Sequence, residues 1–97
     1  MGELQKLRVT VVILLSQENS KRLSRGQRVA GKEIEVMCAE RDLAESGNAA
    51  PQQKLLEALY SEEEAVRQTL AETEMEILKL ERLMAKVDAD IAALCQS

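Results

Sequence analysis

The chain has 97 residues with no histidine, two cysteines and a single aromatic side chain, Tyr60, which excludes a disulfide framework, histidine-based catalysis and an aromatic globular core. Abundant Leu, Ala, Glu, Lys and Arg are typical of long helices. Since two cysteines do not make a disulfide framework, we expect an intracellular protein, cytoplasmic or cytoskeletal. We also expect no enzymatic activity, metal, cofactor or small-molecule substrate. The net charge of −4 is uneven, since residues 1–32 carry seven basic and two acidic side chains and residues 33–97 carry six basic and fifteen acidic ones.

The first predicted helix covers residues 3–46 and includes an apolar run, Val9–Leu15, whose β-branched residues would also suit a strand. No second run of this kind could pair with it, so a helix is favoured, and the run is too short to span a membrane. Gly26 and Gly31 each cost about 1 kcal/mol inside a helix. A break between Asn19 and Gly31 is therefore the alternative to one continuous helix.

The apolar seam of this helix, meaning its a and d heptad positions, needs a change of phase to stay apolar. A heptad count from Leu4 and Leu7 reaches charged residues beyond Leu14. A stutter at Leu15 restores the pattern. The predicted seam then comprises Leu15, Asn19, Leu23, Gln27, Ala30, Ile34, Met37, Arg41 and Ala44. A weaker rival stripe of Val29, Val36 and Leu43 runs beside it.

This phase would place a stripe of basic residues on the outer face of the helix. The stripe comprises Lys21, Arg22, Arg25, Arg28 and Lys32. A concentrated positive face attracts acidic surfaces in a salt-sensitive way. Because no base-reading or stacking side chains accompany the stripe, nucleic acid is not expected, and an acidic cytoskeletal filament such as a microtubule remains open as a partner. A solvated face neutralised by acidic residues of the second helix is favoured over a binding role.

A turn is predicted at residues 47–51, because Gly47 suits the left-handed position that ends a helix and Pro51 suits the first turn of the next one. The second predicted helix covers residues 52–95. Two interleaved heptad rows run from Leu56 to Leu94, and ten of their twelve positions are apolar. A seam sustained over this length predicts a helix that coils around a partner helix.

Two helices of similar length joined by a short turn predict an all-α fold, with one coiled-coil domain over residues 3–95. The favoured arrangement is an antiparallel hairpin in which the numbers of facing residues sum to about 98. A parallel dimeric rod with a central bulge is the alternative. In the hairpin, Arg41 and Glu63 would either form a half-buried pair that penalises wrong registers or both extend to water.

The open end of this hairpin is expected to bind a second copy. Val9–Leu15 is apolar on almost all sides and would lie opposite Leu83, and a helix apolar all round must be covered on more than one side. The predicted oligomer interface comprises Val9, Val12, Ile13, Leu14, Leu70, Ile77, Leu80, Leu83, Met84, Val87, Ile91 and Leu94. The favoured function is a homodimeric oligomerisation and assembly module of a larger protein or complex, and docking of the basic stripe on an acidic filament is the alternative.

Overall fold

Two long helices form the computed structural model, which describes residues 2–96. α1 runs Glu3–Glu45 and α2 runs Ala50–Gln96, and apolar residues of the two helices pack against each other as a helical hairpin. The predicted all-α, two-helix fold is confirmed. α1 is helical throughout Val9–Leu15 and continuous through Gly26 and Gly31, so neither the strand nor the break occurs.

The turn between the helices is closed by its own backbone. The amide of Asn48 donates to the carbonyl of Leu43 at 3.0 Å, and the amide of Gly47 donates to the carbonyl of Ala44 at 3.4 Å. This pair of bonds is the Schellman arrangement, which satisfies the last carbonyls of a helix. Gly47 has a φ of +69°, the left-handed conformation expected from the sequence, and Asn48 also has a positive φ of 66°.

The hairpin divides into two compact units. The terminal unit contains residues up to Arg22 and from Glu72 onward, and the turn unit contains Leu23–Ala71. In the terminal unit, Val11 and Val87 are almost wholly buried. In the turn unit, Val36, Ala39 and Leu56 form a buried cluster against which Leu43 and Leu59 pack.

Ion pairs between the helices run in the antiparallel sense within each unit. In the terminal unit, Arg8 Nε lies 2.7 Å from Asp88 Oδ1. In the turn unit, Lys32 Nζ lies 2.7 Å from Glu62 Oε2. The residue numbers in each pair sum to close to 98, as the sequence predicts.

The seam of α2 lies where the heptad count places it. Leu56, Thr73, Ile77, Leu80 and Val87 are buried. The remaining positions are half-buried, namely Leu59, Glu63, Val66, Leu70, Met84 and Ile91, and Leu94 alone among the twelve is exposed. α2 therefore contacts α1 along one regular 3.5-residue stripe.

The seam of α1 keeps one phase and has no stutter. Most positions of its two inward-facing rows are buried or half-buried, namely Leu4, Val11, Leu15, Glu18, Arg25, Val29, Lys32, Val36, Ala39 and Leu43, and only Arg8 and Arg22 of these rows are exposed. The stutter prediction is therefore wrong, because Leu23, Ile34 and Met37 are 67, 62 and 68% exposed. The rival stripe of Val29, Val36 and Leu43 is the one that faces α2.

Candidate interaction surfaces

The described part of the chain, residues 2–96, contains no cluster of side chains typical of a metal centre. No group of three or more His, Cys, Asp or Glu side chains is placed to hold a metal ion. Cys38 and Cys95 are free and exposed thiols. Over the same residues, neither helix has an apolar stretch long enough to cross a membrane. The surfaces of the hairpin are thus the features that remain to be interpreted.

Lys32 occupies a seam position of α1 and is held there by two carboxylates. Its Nζ lies 2.7 Å from Glu62 of α2 and 3.1 Å from Glu35 of α1. The hydrogen bond to Glu62, followed by that to Glu35, raises the pKa of Lys32 above its usual value. The aliphatic stem of a lysine can cover apolar surface while its ammonium group stays at the edge. Lys32 therefore helps to join the two helices.

The predicted basic stripe does not lie on one outer face. Arg25 and Lys32 turn toward α2 and are half-buried, whereas Lys21, Arg22 and Arg28 are exposed. The prediction fails for Arg25 and Lys32 because it used the shifted phase, in which the inward face of α1 was taken for the outer one. Lys21 also pairs with Glu18 at 2.9 Å.

Arg41 and Glu63 do not form the predicted core pair. Arg41 is exposed, with Nη2 4.0 Å from the sulfur of Cys38. Glu63 instead pairs with Arg67 at 3.2 Å, and Arg67 also reaches Glu33 of α1 at 2.8 Å. The bond to Glu63 is the largest cause that raises the pKa of Arg67. The pairing failed for the same reason, since the true phase of α1 points Arg41 outward.

Most of the α2 residues predicted to form the oligomer interface already pack inside the hairpin. Leu70, Ile77, Leu80, Met84, Val87 and Ile91 are buried or half-buried by the chain itself, and Leu94 is exposed. A second copy could reach the buried Ile77, Leu80 and Val87 only if the hairpin opened. Their heptad spacing is fully explained by contact with α1.

The other predicted interface residues are exposed together in the terminal unit. Val9, Val12, Ile13 and Leu14 on α1 and Leu83 on α2 remain between 37 and 51% exposed after the hairpin has formed. Three further large apolar residues of this unit, Leu7, Met75 and Leu78, are also exposed and were not predicted. We call these eight residues the terminal apolar surface. Its α1 members cover more than one face of the helix, because no single face can hold Val9, Val12 and Leu14 together.

A second apolar surface lies in the turn unit and was not predicted as a surface at all. Ile34, Met37, Cys38 and Arg41 line a shallow depression of about 350 Å³ on the outer side of α1. Ile34, Met37 and Arg41 belong to the stripe that the sequence assigned to the inner seam, and Cys38 lies beside it. Their heptad spacing is typical of residues that pack against another helix, but they do not face α2.

Known proteins supply no guide to these surfaces. No protein-family model, curated protein sequence or solved structure matches the chain. We therefore infer function from the chemistry and geometry of the chain alone.

Proposed function

We propose that the chain is a non-enzymatic, intracellular coiled-coil module that assembles copies of a larger protein or complex through the terminal apolar surface. The supporting observation is that Val12 and Ile13 remain 43 and 51% exposed although α1 is already packed against α2. Val9 and Leu14 of the same apolar run are also exposed, and large exposed apolar areas on a protein mark interaction sites. Burying the remaining half of each such side chain contributes on the order of 1 kcal/mol.

A homo-oligomer fits this surface because the same residues on a second copy provide an equally apolar partner. In a two-fold dimer each patch contacts its own counterpart, so every apolar side chain counts twice. Cyclic dimers are also the commonest oligomers of soluble proteins. A four-helix bundle of two hairpins is the simplest arrangement that covers α1 on a second side.

Analytical ultracentrifugation of two matched double variants tests this proposal. Val12→Glu, Ile13→Glu should lower the average mass relative to wild type, because two carboxylates would have to be desolvated in the interface. The control, Ser16→Glu, Gln17→Glu, adds the same charges at exposed polar positions of the same helix and should keep the wild-type mass. Circular dichroism should show equal helicity in both. An unchanged mass in the first variant would contradict the proposal.

The alternative, docking on an acidic filament, is supported by Arg22 and Arg28. Both are exposed, and neither has an ion-pair partner within residues 2–96. Co-sedimentation with microtubules should then fade with salt and disappear in Arg22→Glu, Arg28→Glu. Lys32 is left unchanged in this variant, since its reversal would break the pairs with Glu62 and Glu35. No binding at low salt would count against this alternative.

A further inference from the structure

The outer side of α1 in the turn unit carries a second, complete heptad seam. Its positions alternate at spacings of four and three residues, and all of them are exposed. They are Leu23, Gln27, Ala30, Ile34, Met37, Arg41 and Ala44. We call this set the outer stripe. At 1.5 Å per residue it extends about 32 Å, long enough for six turns of a partner helix.

The corresponding outer positions of α2 in the same unit are what a solvated helix normally shows. They are Glu57, Ser61, Glu64, Gln68 and Ala71, and every one is exposed. The outer face of α1 differs from that of α2, and helix propensity alone does not explain its exposed Leu, Ile and Met residues. An apolar stripe at the 3.5-residue period of a coiled coil indicates a helix that packs against it.

We propose that the outer stripe binds the outer stripe of a second copy in antiparallel orientation, with Ile34 of each copy meeting at the two-fold axis. In this register the other two large apolar residues lie opposite alanines, since Leu23 faces Ala44 and Met37 faces Ala30. Alternation of large and small residues across facing positions lets two helices interdigitate. The two polar positions also meet, since Gln27 faces Arg41, whose guanidinium can donate to the amide oxygen.

Charges beside the stripe favour the same direction. One row at seven-residue spacing carries two basic residues and then two acidic ones, Lys21, Arg28, Glu35 and Asp42. Antiparallel pairing with Ile34 at the axis brings Arg28 nearly level with Asp42 of the second copy. It also brings Glu35 near Glu35 of the second copy, and each of these carboxylates is already paired with Lys32 at 3.1 Å. A parallel pair would place Arg41 against Arg41 in the seam. Opposite charges at such positions set partner choice and orientation in coiled coils.

Small residues allow the second helix to come close to this row. Ser24, Gly31 and Cys38 lie between the outer stripe and the charged row, again at seven-residue spacing. A Cβ added at Gly31 would have no neighbour within 4 Å, so the space is open in the single chain. On the other flank, Glu33 is already paired with Arg67 at 2.8 Å, which reduces its repulsion toward a second copy.

This interface is separate from the terminal apolar surface and does not depend on it. If both operate, each chain carries two self-complementary contacts and assembles beyond a dimer. Ultracentrifugation of a variant that carries substitutions in both interfaces distinguishes their contributions to the mass. Adding Ile34→Glu, Met37→Glu to Val12→Glu, Ile13→Glu should reduce the mass to the 10.8 kDa of one chain. A combined variant no lighter than Val12→Glu, Ile13→Glu while that one still oligomerises would overturn the inference.

Disulfide trapping tests the direction directly. In a chain carrying Cys38→Ser and Cys95→Ser, the variants Ala30→Cys and Met37→Cys are oxidised separately and as a mixture. The antiparallel register predicts a mixed disulfide at least about tenfold faster than either homodimer, because two copies of one variant hold their cysteines about 10 Å apart along the axis, too far to bridge. The control pair is Ser61→Cys and Gln68→Cys, equally spaced and exposed on α2, and should show no preference for the mixed product.

Each other outcome overturns the inference. Faster homodimers of Ala30→Cys or Met37→Cys would mean parallel pairing. Cross-linking no faster than in the Ser61→Cys and Gln68→Cys control would mean that the outer stripe does not bind a second copy and is left for a different helix. Running the trap also in the Val12→Glu, Ile13→Glu background keeps the result independent of the terminal apolar surface. There the mixed disulfide should form as before, whether or not that surface oligomerises.

Discussion

Arg8 Nε donates a hydrogen bond to Asp88 Oδ1 at 2.7 Å, and the two residues are 80 positions apart in the sequence. The contact fixes the antiparallel pairing of α1 with α2 in the terminal unit. Both side chains are about half exposed, so the ion pair is screened and contributes modestly. The pair also specifies the register of the two helices, because a one-turn slip would separate the two charges.

A charge-swap cycle measures this pair. Arg8→Asp or Asp88→Arg alone should lower the free energy of unfolding by about 0.5–1 kcal/mol, since each leaves two like charges facing one another. The double variant should recover most of that loss. Urea unfolding of the four proteins gives the coupling energy. Purely additive losses would show that the contact contributes nothing in solution.

Neighbouring residues of α1 test its heptad phase. Val36 is 5% exposed and Met37 is 68% exposed. Val36→Ala should therefore cost about 2 kcal/mol through lost burial and a cavity, whereas Met37→Ala should stay within about 0.5 kcal/mol. Urea unfolding at a protein concentration low enough for single chains is the suitable measurement. A larger loss of unfolding free energy in Met37→Ala than in Val36→Ala would instead support the phase shift at Leu15.

Three glycines should respond in opposite directions to alanine. Gly26 and Gly31 are helical, and an added Cβ at either meets nothing within 4 Å. Gly26→Ala and Gly31→Ala should each raise the free energy of unfolding by about 0.5–1 kcal/mol. Gly47→Ala should lower it by about 1 kcal/mol, because its φ of +69° strains any residue with a Cβ. Thermal melts of the three variants decide this, and stabilisation by Gly47→Ala would contradict the turn geometry.

Lys32 makes the stability of the turn unit depend on alkaline pH. Its carboxylate partners raise its pKa above the ordinary 10.5 in the folded chain. Its stabilising contribution is therefore complete below 10.5 and is lost as the pH rises through the raised folded value. Lys32→Met should lower the melting temperature near neutral pH, and the deficit should shrink as the pH rises through the raised pKa of Lys32. Lys54→Met, at an exposed position without an ion pair in residues 2–96, is the control. A deficit that does not change with pH would refute this role of Lys32.

The sequence predicted α2 better than α1 for a physical reason. Ten of twelve seam positions in α2 are apolar, and its outer side in the turn unit is polar, so one phase is clearly preferred. α1 is apolar on two faces. Its inner seam includes Glu18 and Lys32, whose side chains are only 16 and 23% exposed. Their aliphatic stems lie along the helix contact and their charged groups pair at its edge. Counting apolar residues at heptad positions therefore misses them.

The candidate surfaces were predictable in part for the same reason. Val12, Ile13 and Leu83 could be found because the apolar run of α1 exceeds what one partner helix can cover. Ile34 and Met37 were recognised as seam residues but assigned to the wrong partner. Periodicity identifies a face that pairs with a helix, and only the phase of the completed hairpin shows whether that helix is α2.

Self-association can be measured by sedimentation equilibrium of the wild-type chain over a wide concentration range. We expect an average mass that rises with concentration above the 10.8 kDa of a single chain and reaches at least twice that value. We also expect a weaker rise in Val12→Glu, Ile13→Glu than in Ser16→Glu, Gln17→Glu. A mass of 10.8 kDa at every concentration would show that the chain does not self-associate.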